Sequence, residues 1–163
     1  MTPRTPFDLR TYIAEQGIAA ELVFPEQETP TVPAAAAAVG CAPEQIVKSV
    51  LFLVEDQGAS PRPVLVIAAG TARIDYKALA AHFGVSRKRI RLASGDVVLQ
   101  TLGYPAGGVP PFGHVNPVPV LMDERVTLQK IVYAGGGDDH SLLRLAVDEL
   151  RRVTGAELVS VSE

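Results

Sequence analysis

The chain has 163 residues, 47% of them hydrophobic and 20% charged, and carries a formal net charge of −3. That is enough apolar material for one packed core and too little charge for a disordered tail, while no apolar run reaches the ~20 residues needed to cross a bilayer. A lone Cys41 excludes an internal disulfide framework, and His82, His114 and His140 lack metal-ligand spacing, so no metal site is expected.

Residues 1–163 are therefore expected to form a single cytoplasmic domain, with no membrane partner and with any nucleic acid held through a local basic patch rather than overall charge. The start of the chain, Met1 to Thr5, has no apolar stretch of the signal-peptide kind. Thr5-Pro6-Phe7-Asp8 combines a capping hydroxyl, a proline suited to the first helical position and a first-turn acid. Leu9, Tyr12 and Ile13 then share one helical face, and Gly17 stops the helix. Glu21 to Phe24 reads as a short strand closed by Pro25. Thr31, Pro33 and the alanines Ala34 to Ala38 form a second helix that stops at Gly40, the alanines permitting close packing.

Ile46 to Val54 is an apolar, β-branched run interrupted by one charge, Lys48. Such a run reads as a strand buried on both faces, in which an ammonium needs an anion or must neutralise. Alternation places Lys48 with Ile46, Val50 and Phe52. Two readings follow: a lysine facing an anionic ligand, or a lysine near the strand start whose stem packs while its head reaches water. The polar segment Glu55 to Pro63 turns the chain into Val64 to Ala69, giving a hairpin.

Asp75 caps a helix running to Gly84, and Ser94 another running to Gly103. Between them Arg87, Lys88, Arg89 and Arg91 form a basic stretch that suits phosphates or a solvated face. Val118 to Met122, ended by Asp123, and Lys130 to Ala134 read as strands. Periodicity leaves Asp138 to Thr154 ambiguous; the reading adopted is a strand to Val147, a helix capped by Asp148 and stopped by Gly155, and a last strand from Glu157 to Val161. The expected fold class is α+β, a mixed sheet curling toward a barrel with helices outside.

Chemistry is most concentrated in Gly103 to His114. Glycines allow backbone N–H groups to approach a ligand, and Pro110 and Pro111 stiffen the loop. His114 ends it, either as a general acid or base or as a structural histidine bonded to a backbone carbonyl. Asp123 either orients a neighbour or caps the following turn. Gly135 to Gly137 form a second glycine cluster without the lysine and helix of a P-loop, and by themselves read as an ordinary loop. No Ser-His-Asp or Cys-His triad is visible.

Thr29-Pro30-Thr31-Val32, Ile46-Val47-Lys48-Ser49, Gly107-Gly108-Val109-Pro110-Pro111-Phe112-Gly113-His114, Leu121-Met122-Asp123-Glu124 and Ala134-Gly135-Gly136-Gly137 together resemble the YbaK/EbsC family. That family shares its fold with the editing domain inserted in bacterial prolyl-tRNA synthetase. The resemblance implies a deacylase that removes a small non-cognate amino acid such as alanine or cysteine from tRNA for proline. It implies no cofactor, and as partners the acceptor end of an aminoacyl-tRNA and an aminoacyl-tRNA synthetase.

On this sequence it makes Lys48, Gly108 and His114 catalytic. Thr31, Gly107, Val109, Pro110, Pro111, Phe112, Gly113, Asp123, Gly135 and Gly136 become substrate-binding, with Arg87, Lys88, Arg89 and Arg91 on the RNA. Hydrolysis of an activated ester by positioning and carbonyl polarisation, assisted by a ribose hydroxyl or a substrate thiol, would account for the missing triad. The family's pattern is departed from at Asp138-Asp139-His140, where less charged sequence is usual, and this leaves the role of Gly135 to Gly137 open. The alternative is a regulatory module binding a nucleotide, amino acid or peptide without catalysis.

Overall fold

A computed structural model describes residues 2–56, 58 and 60–163. Gln57 and Ala59 of the expected turn, and Met1, lie outside the described residues.

Capping chemistry sets the helices. In α1 (Pro6–Gln16) the Thr5 N–H donates to Asp8 Oδ2 at 2.8 Å, and Gly17 takes the left-handed conformation at φ 62°. Thr31 Oγ1 accepts from the Ala34 N–H at the start of α2 (Val32–Val39). Asp75 Oδ1 accepts from Lys77 and Ala78 at the start of α3 (Tyr76–Phe83), and Ser94 Oγ from Val97 at the start of α4 (Gly95–Leu102). Each such cap satisfies helix N–H groups that otherwise lack a partner.

The last helix, α5, spans Val147–Thr154 and corrects the expected boundary: Ala146 is its N-cap, and Asp148 lies in the first turn. There Asp148 and Glu149 face the positive end of the helix dipole. Glu149 also accepts from the Ala19 N–H and from Arg152, contacts that hold its carboxyl down to about 2.

The strands form two sheets. In the first, β1 (Ala20–Val23), β7 (Leu142–Ala146) and β6 (Ile131–Gly135) pair antiparallel in the order β1-β7-β6. The second has five strands in the order β4-β2-β3-β5-β8: β4 (Ile90–Leu92), β2 (Val47–Val54), β3 (Arg62–Ala69), β5 (Val120–Asp123) and β8 (Glu157–Val159). It is mixed, antiparallel from β4 to β3 and parallel from β3 to β8.

An isolated parallel bridge from Ile46 to Tyr133 links the two sheets. The sheet is thus divided rather than one continuous curl, and β4 emerges from the basic stretch because Ile90 is buried and pairs with Val54.

The two faces of the five-stranded sheet have different tasks. Val47, Ile67 and Met122 pack against Val132, Ala134, Leu143 and Leu145 of the three-stranded sheet, with Leu9 of α1 in the same core. Phe52, Val64, Val66 and Ala68 face α3 and Ile90. Near the first face, Leu51 and Leu65 carry Val109 and Leu102, which seats the glycine-proline loop on the sheet.

Candidate functional site

Alternation along β2 sends neighbouring side chains to opposite faces. Lys48 joins Val50 and Phe52 on the α3 side, whereas Ser49 joins Val47 and Leu51 on the other. At the open end of the sheet both border a cavity of about 430 Å³. Its wall comprises Thr29 to Val32, the Ile46–Ser49 segment, Ala106 to Val109, and Gly135 with Asp138, Asp139 and Ser141.

Lys48 also borders a second cavity of about 420 Å³ on the α3 side, so its ammonium marks the divide between the two. Its Nζ donates to the Ala72 carbonyl at 2.6 Å, and burial pushes its pKa below that of a free lysine.

The glycine-proline loop is held against the end of β6 by backbone contact. The Gly137 N–H donates to the Gly108 carbonyl at 2.9 Å. A Cβ on Gly108 would stand 2.4 Å from the Asp138 backbone, and one on Gly135 2.1 Å from the Val109 carbonyl oxygen. Only hydrogen fits at either position. The glycine cluster at 135–137 therefore has a packing role that its sequence did not disclose.

The Gly108 N–H is occupied by the Pro105 carbonyl at 3.0 Å. Among the described residues no acceptor is found for the N–H groups of Gly107 and Val109, both in the cavity wall. Donors for a carbonyl oxygen are thus found beside Gly108 rather than on it.

Two groups that were not among the predicted site residues belong to this wall. Asp138 Oδ1 accepts from the Ser141 hydroxyl at 2.7 Å and the His140 N–H at 2.9 Å, while Asp139 stands beside it. Ser49 Oγ is buried and has no partner among the described residues. The acidic pair was visible in the sequence as a departure from the family pattern; that it shares a cavity wall with Lys48 was not.

Thr31, Lys48, Gly107, Gly108, Val109 and Gly135 thus come together around one cavity. Pro110, Pro111, Phe112 and Gly113 are buried outside its wall, with Phe112 stacked on Tyr12 at 6.0 Å. Gly136 lies beneath it, where a Cβ would stand 2.7 Å from Ser141. Asp123, 1% exposed, accepts from the Arg125 and Val161 N–H groups and joins the end of β5 to the segment after β8.

His114 is likewise outside the cavity wall, its Nε2 2.7 Å from the Pro110 carbonyl oxygen. Of the two readings open in the sequence, the structural one describes these contacts. Arg87 to Arg89 form a short turn after α3, and Arg91 pairs with Glu55 at 2.8 Å; all are remote in sequence from the cavity wall and absent from it.

Burial holds the His114 imidazole below its usual pKa, so the folded state keeps it neutral where the unfolded chain takes up a proton. Stability should accordingly fall as pH drops below the ordinary histidine value of about 6.5, and His114→Gln should flatten that part of the Tm curve. Glu149, held near 2, would contribute to acid loss only at lower pH. Parallel Tm curves for the wild type and the variant across the window would exclude His114 as its source.

Comparison with known proteins gives concordant findings. The aminoacyl-tRNA editing domain family matches residues 26–153. The uncharacterized protein YwhH of Bacillus subtilis strain 168 is 30% identical over 142 residues, 87% of this chain and 86% of that protein. Proline–tRNA ligase of Limosilactobacillus fermentum is 28% identical over 109 residues, which span 67% of this chain but 19% of the ligase. A crystal structure of a proposed trans-editing enzyme for prolyl-tRNA synthetase superposes with a TM-score of 0.86 at 31% identity, covering 97% of this chain and 96% of that one. Among the described residues, no helix is long and apolar enough to cross a membrane.

Proposed function

Because the chain belongs to the aminoacyl-tRNA editing domain family, we propose that it is a trans-acting deacylase that hydrolyses a mischarged aminoacyl-tRNA, with tRNA for proline carrying alanine or cysteine as the first candidate. The observation that carries this reading is the cavity in which Lys48, two unoccupied loop N–H groups and the Asp138–Asp139 pair share one wall. An aminoacyl ester offers a matching set of charges: a phosphate near its ribose, a carbonyl oxygen, and an α-ammonium.

In the mechanism that follows, Lys48 anchors the tRNA end and the Gly107 and Val109 amides face the ester carbonyl. Water adds to the carbonyl carbon, and the negative charge that develops on the carbonyl oxygen meets those fixed dipoles. The carbon–oxygen bond to the ribose then breaks, the proton released by the attacking water passes to the ribose oxygen to give the free hydroxyl, and the amino acid leaves with its new carboxyl group. The carboxylates of Asp138 and Asp139 supply opposite charge for the α-ammonium. Positioning and polarisation suffice because the ester is already activated, and no protein nucleophile is required.

Incubation of the protein with a panel of charged tRNAs, each assayed for released amino acid, tests the proposal. Selective release of one small non-cognate amino acid is expected. No release from any member, together with saturable binding of a nucleotide or amino acid, would favour the regulatory module. The arginine-rich stretch at 87–91 has its own test in the same assay: neutralising it should weaken tRNA binding and flatten the salt dependence.

A further inference from the structure

Asp123, 1% exposed at the end of β5, has no ion-pair partner among the described residues. A buried charge must then be met by hydrogen bonds, and two backbone N–H groups meet this one. The Arg125 N–H donates to Oδ2 at 3.2 Å and closes the turn after β5. The Val161 N–H donates to Oδ1 at 2.9 Å from 38 residues away, in the segment beyond β8.

That segment grips the loop between β3 and α3. The Val161 carbonyl accepts from the Asp75 N–H at 2.7 Å, Ser162 forms an antiparallel bridge with Ile74, and the Glu163 N–H donates to the Arg73 carbonyl at 2.8 Å. At the other end of the loop the Gly70 N–H donates to the carbonyl of Ile46, just before β2, at 2.7 Å. Between these ties lies the Ala72 carbonyl, the acceptor for Lys48 Nζ at 2.6 Å.

Pairing with Ala68 fixes the Lys48 backbone but not the end of its side chain. An ammonium on a flexible four-carbon stem samples many positions, and a site gains when the charge is placed before the substrate arrives. A loop carbonyl provides that placement only if the loop itself is held. Resting on the deacylase reading, in which Lys48 anchors the tRNA end, we propose that Asp123 is a positioning residue for Lys48: through Val161 and residues 73–75 it holds the Ala72 carbonyl that presets the ammonium at the divide between the two cavities.

The test is a double-mutant cycle on hydrolysis of alanyl-tRNA for proline, joined to NMR of the full chain labelled at its lysine side chains. Asp123→Ala should lower kcat/KM about ten- to a hundredfold, as misplacement of a reacting or anchoring group does. In the Lys48→Ala background the same change should cost less than about twofold, because the group it positions is already gone. The ε-carbon signal of Lys48 should move in Asp123→Ala while that of Lys88, in the turn after α3, stays in place. Should Asp123→Ala fail to fold, Glu163→Pro removes only the exposed N–H that ties the Arg73 carbonyl, and should act in the same direction on both readouts.

Equal fractional losses in the two backgrounds would mark a purely structural role and overturn the proposal, as would a Lys48 signal unmoved by either variant. The two readings fail separately. A wild-type protein that releases no amino acid refutes the deacylase and leaves the lysine signal to decide the positioning; an active enzyme whose cycle is additive refutes only the role of Asp123.

Discussion

Replacing Lys48 with alanine is expected to slow release of the amino acid about ten- to a hundredfold, the loss of a charge-assisted contact of roughly 1.5–3 kcal/mol. The expectation rests on position as well as charge, because Lys48 is common to both cavities. Its ammonium donates to a neutral carbonyl, that of Ala72. A phosphate would be a far stronger partner. Burial lowers the lysine's pKa, so the charged form should disappear at a lower pH than for a free lysine.

Once spontaneous ester hydrolysis is subtracted, the rate should therefore decline on an alkaline limb, and Lys48→Arg should shift that limb upward where it preserves activity. The alanine variant should retain its fold, since only one side-chain hydrogen bond is lost. A deacylation rate equal to the wild type's would remove Lys48 from the proposed chemistry.

Gly135→Ala and Gly108→Ala are expected to be the most damaging small substitutions, because each drives a methyl group into backbone rather than into a side chain that can move. The added carbon would stand 2.1 Å from the Val109 carbonyl oxygen in the first case and 2.4 Å from Asp138 backbone atoms in the second. Forced overpacking of this kind costs about 1–3 kcal/mol, and for a chain of this length each kcal/mol lowers Tm by about 2–4 °C. Activity should fall with stability, because relief of the clash lifts the loop from the end of β6 and displaces its amides.

Gly107→Ala supplies the contrast. Its Cβ would approach nothing nearer than the Asp139 Cβ at 4.0 Å, so stability should change by no more than the ~0.5 kcal/mol of an ordinary surface substitution, about 2 °C in Tm at most. The methyl group would stand in the cavity wall, and its effect should appear in the preference among aminoacyl groups. Thermal melts of the three variants decide the matter; an unchanged Tm for Gly135→Ala would show that the loop and the strand end are not held together by this contact.

Local chemistry was legible in the sequence. Thr31, Asp75 and Ser94 cap the expected helices, and Gly17, Gly40, Gly84, Gly103 and Gly155 end theirs in left-handed conformations. These features depend on neighbours four or fewer residues away, which is the range over which pattern reading works. The strand at Ile90–Leu92 was hidden because three residues cannot display a period, and because its pairing with Phe52 to Val54 is long-range.

The cavity was legible in part. Lys48 and the glycine loop announce themselves by contrast with their surroundings, an isolated charge in an apolar run and a cluster of glycines and prolines. The acidic residues at 138–139 show in the sequence only as a departure from the family pattern, and the hydroxyl of Ser49 not at all, until the two sheets are joined. For His114 and Asp123 both roles were written in the same residues. The choice lay in whether a backbone carbonyl or N–H stands in reach, as Pro110 does for one and Val161 for the other.

Lys48 and Ser49 are consecutive, yet they serve opposite sides of one sheet. A slip of one position between β2 and β3 would therefore exchange the ammonium for a hydroxyl and turn every apolar side chain of β2 inside out. Eight consecutive pairs, from Val47 opposite Ala69 to Val54 opposite Arg62, guard against that error. The length of this hairpin thus acts as an alignment gauge: insertion or deletion of one residue within β2 should abolish the cleft long before it abolishes strand content.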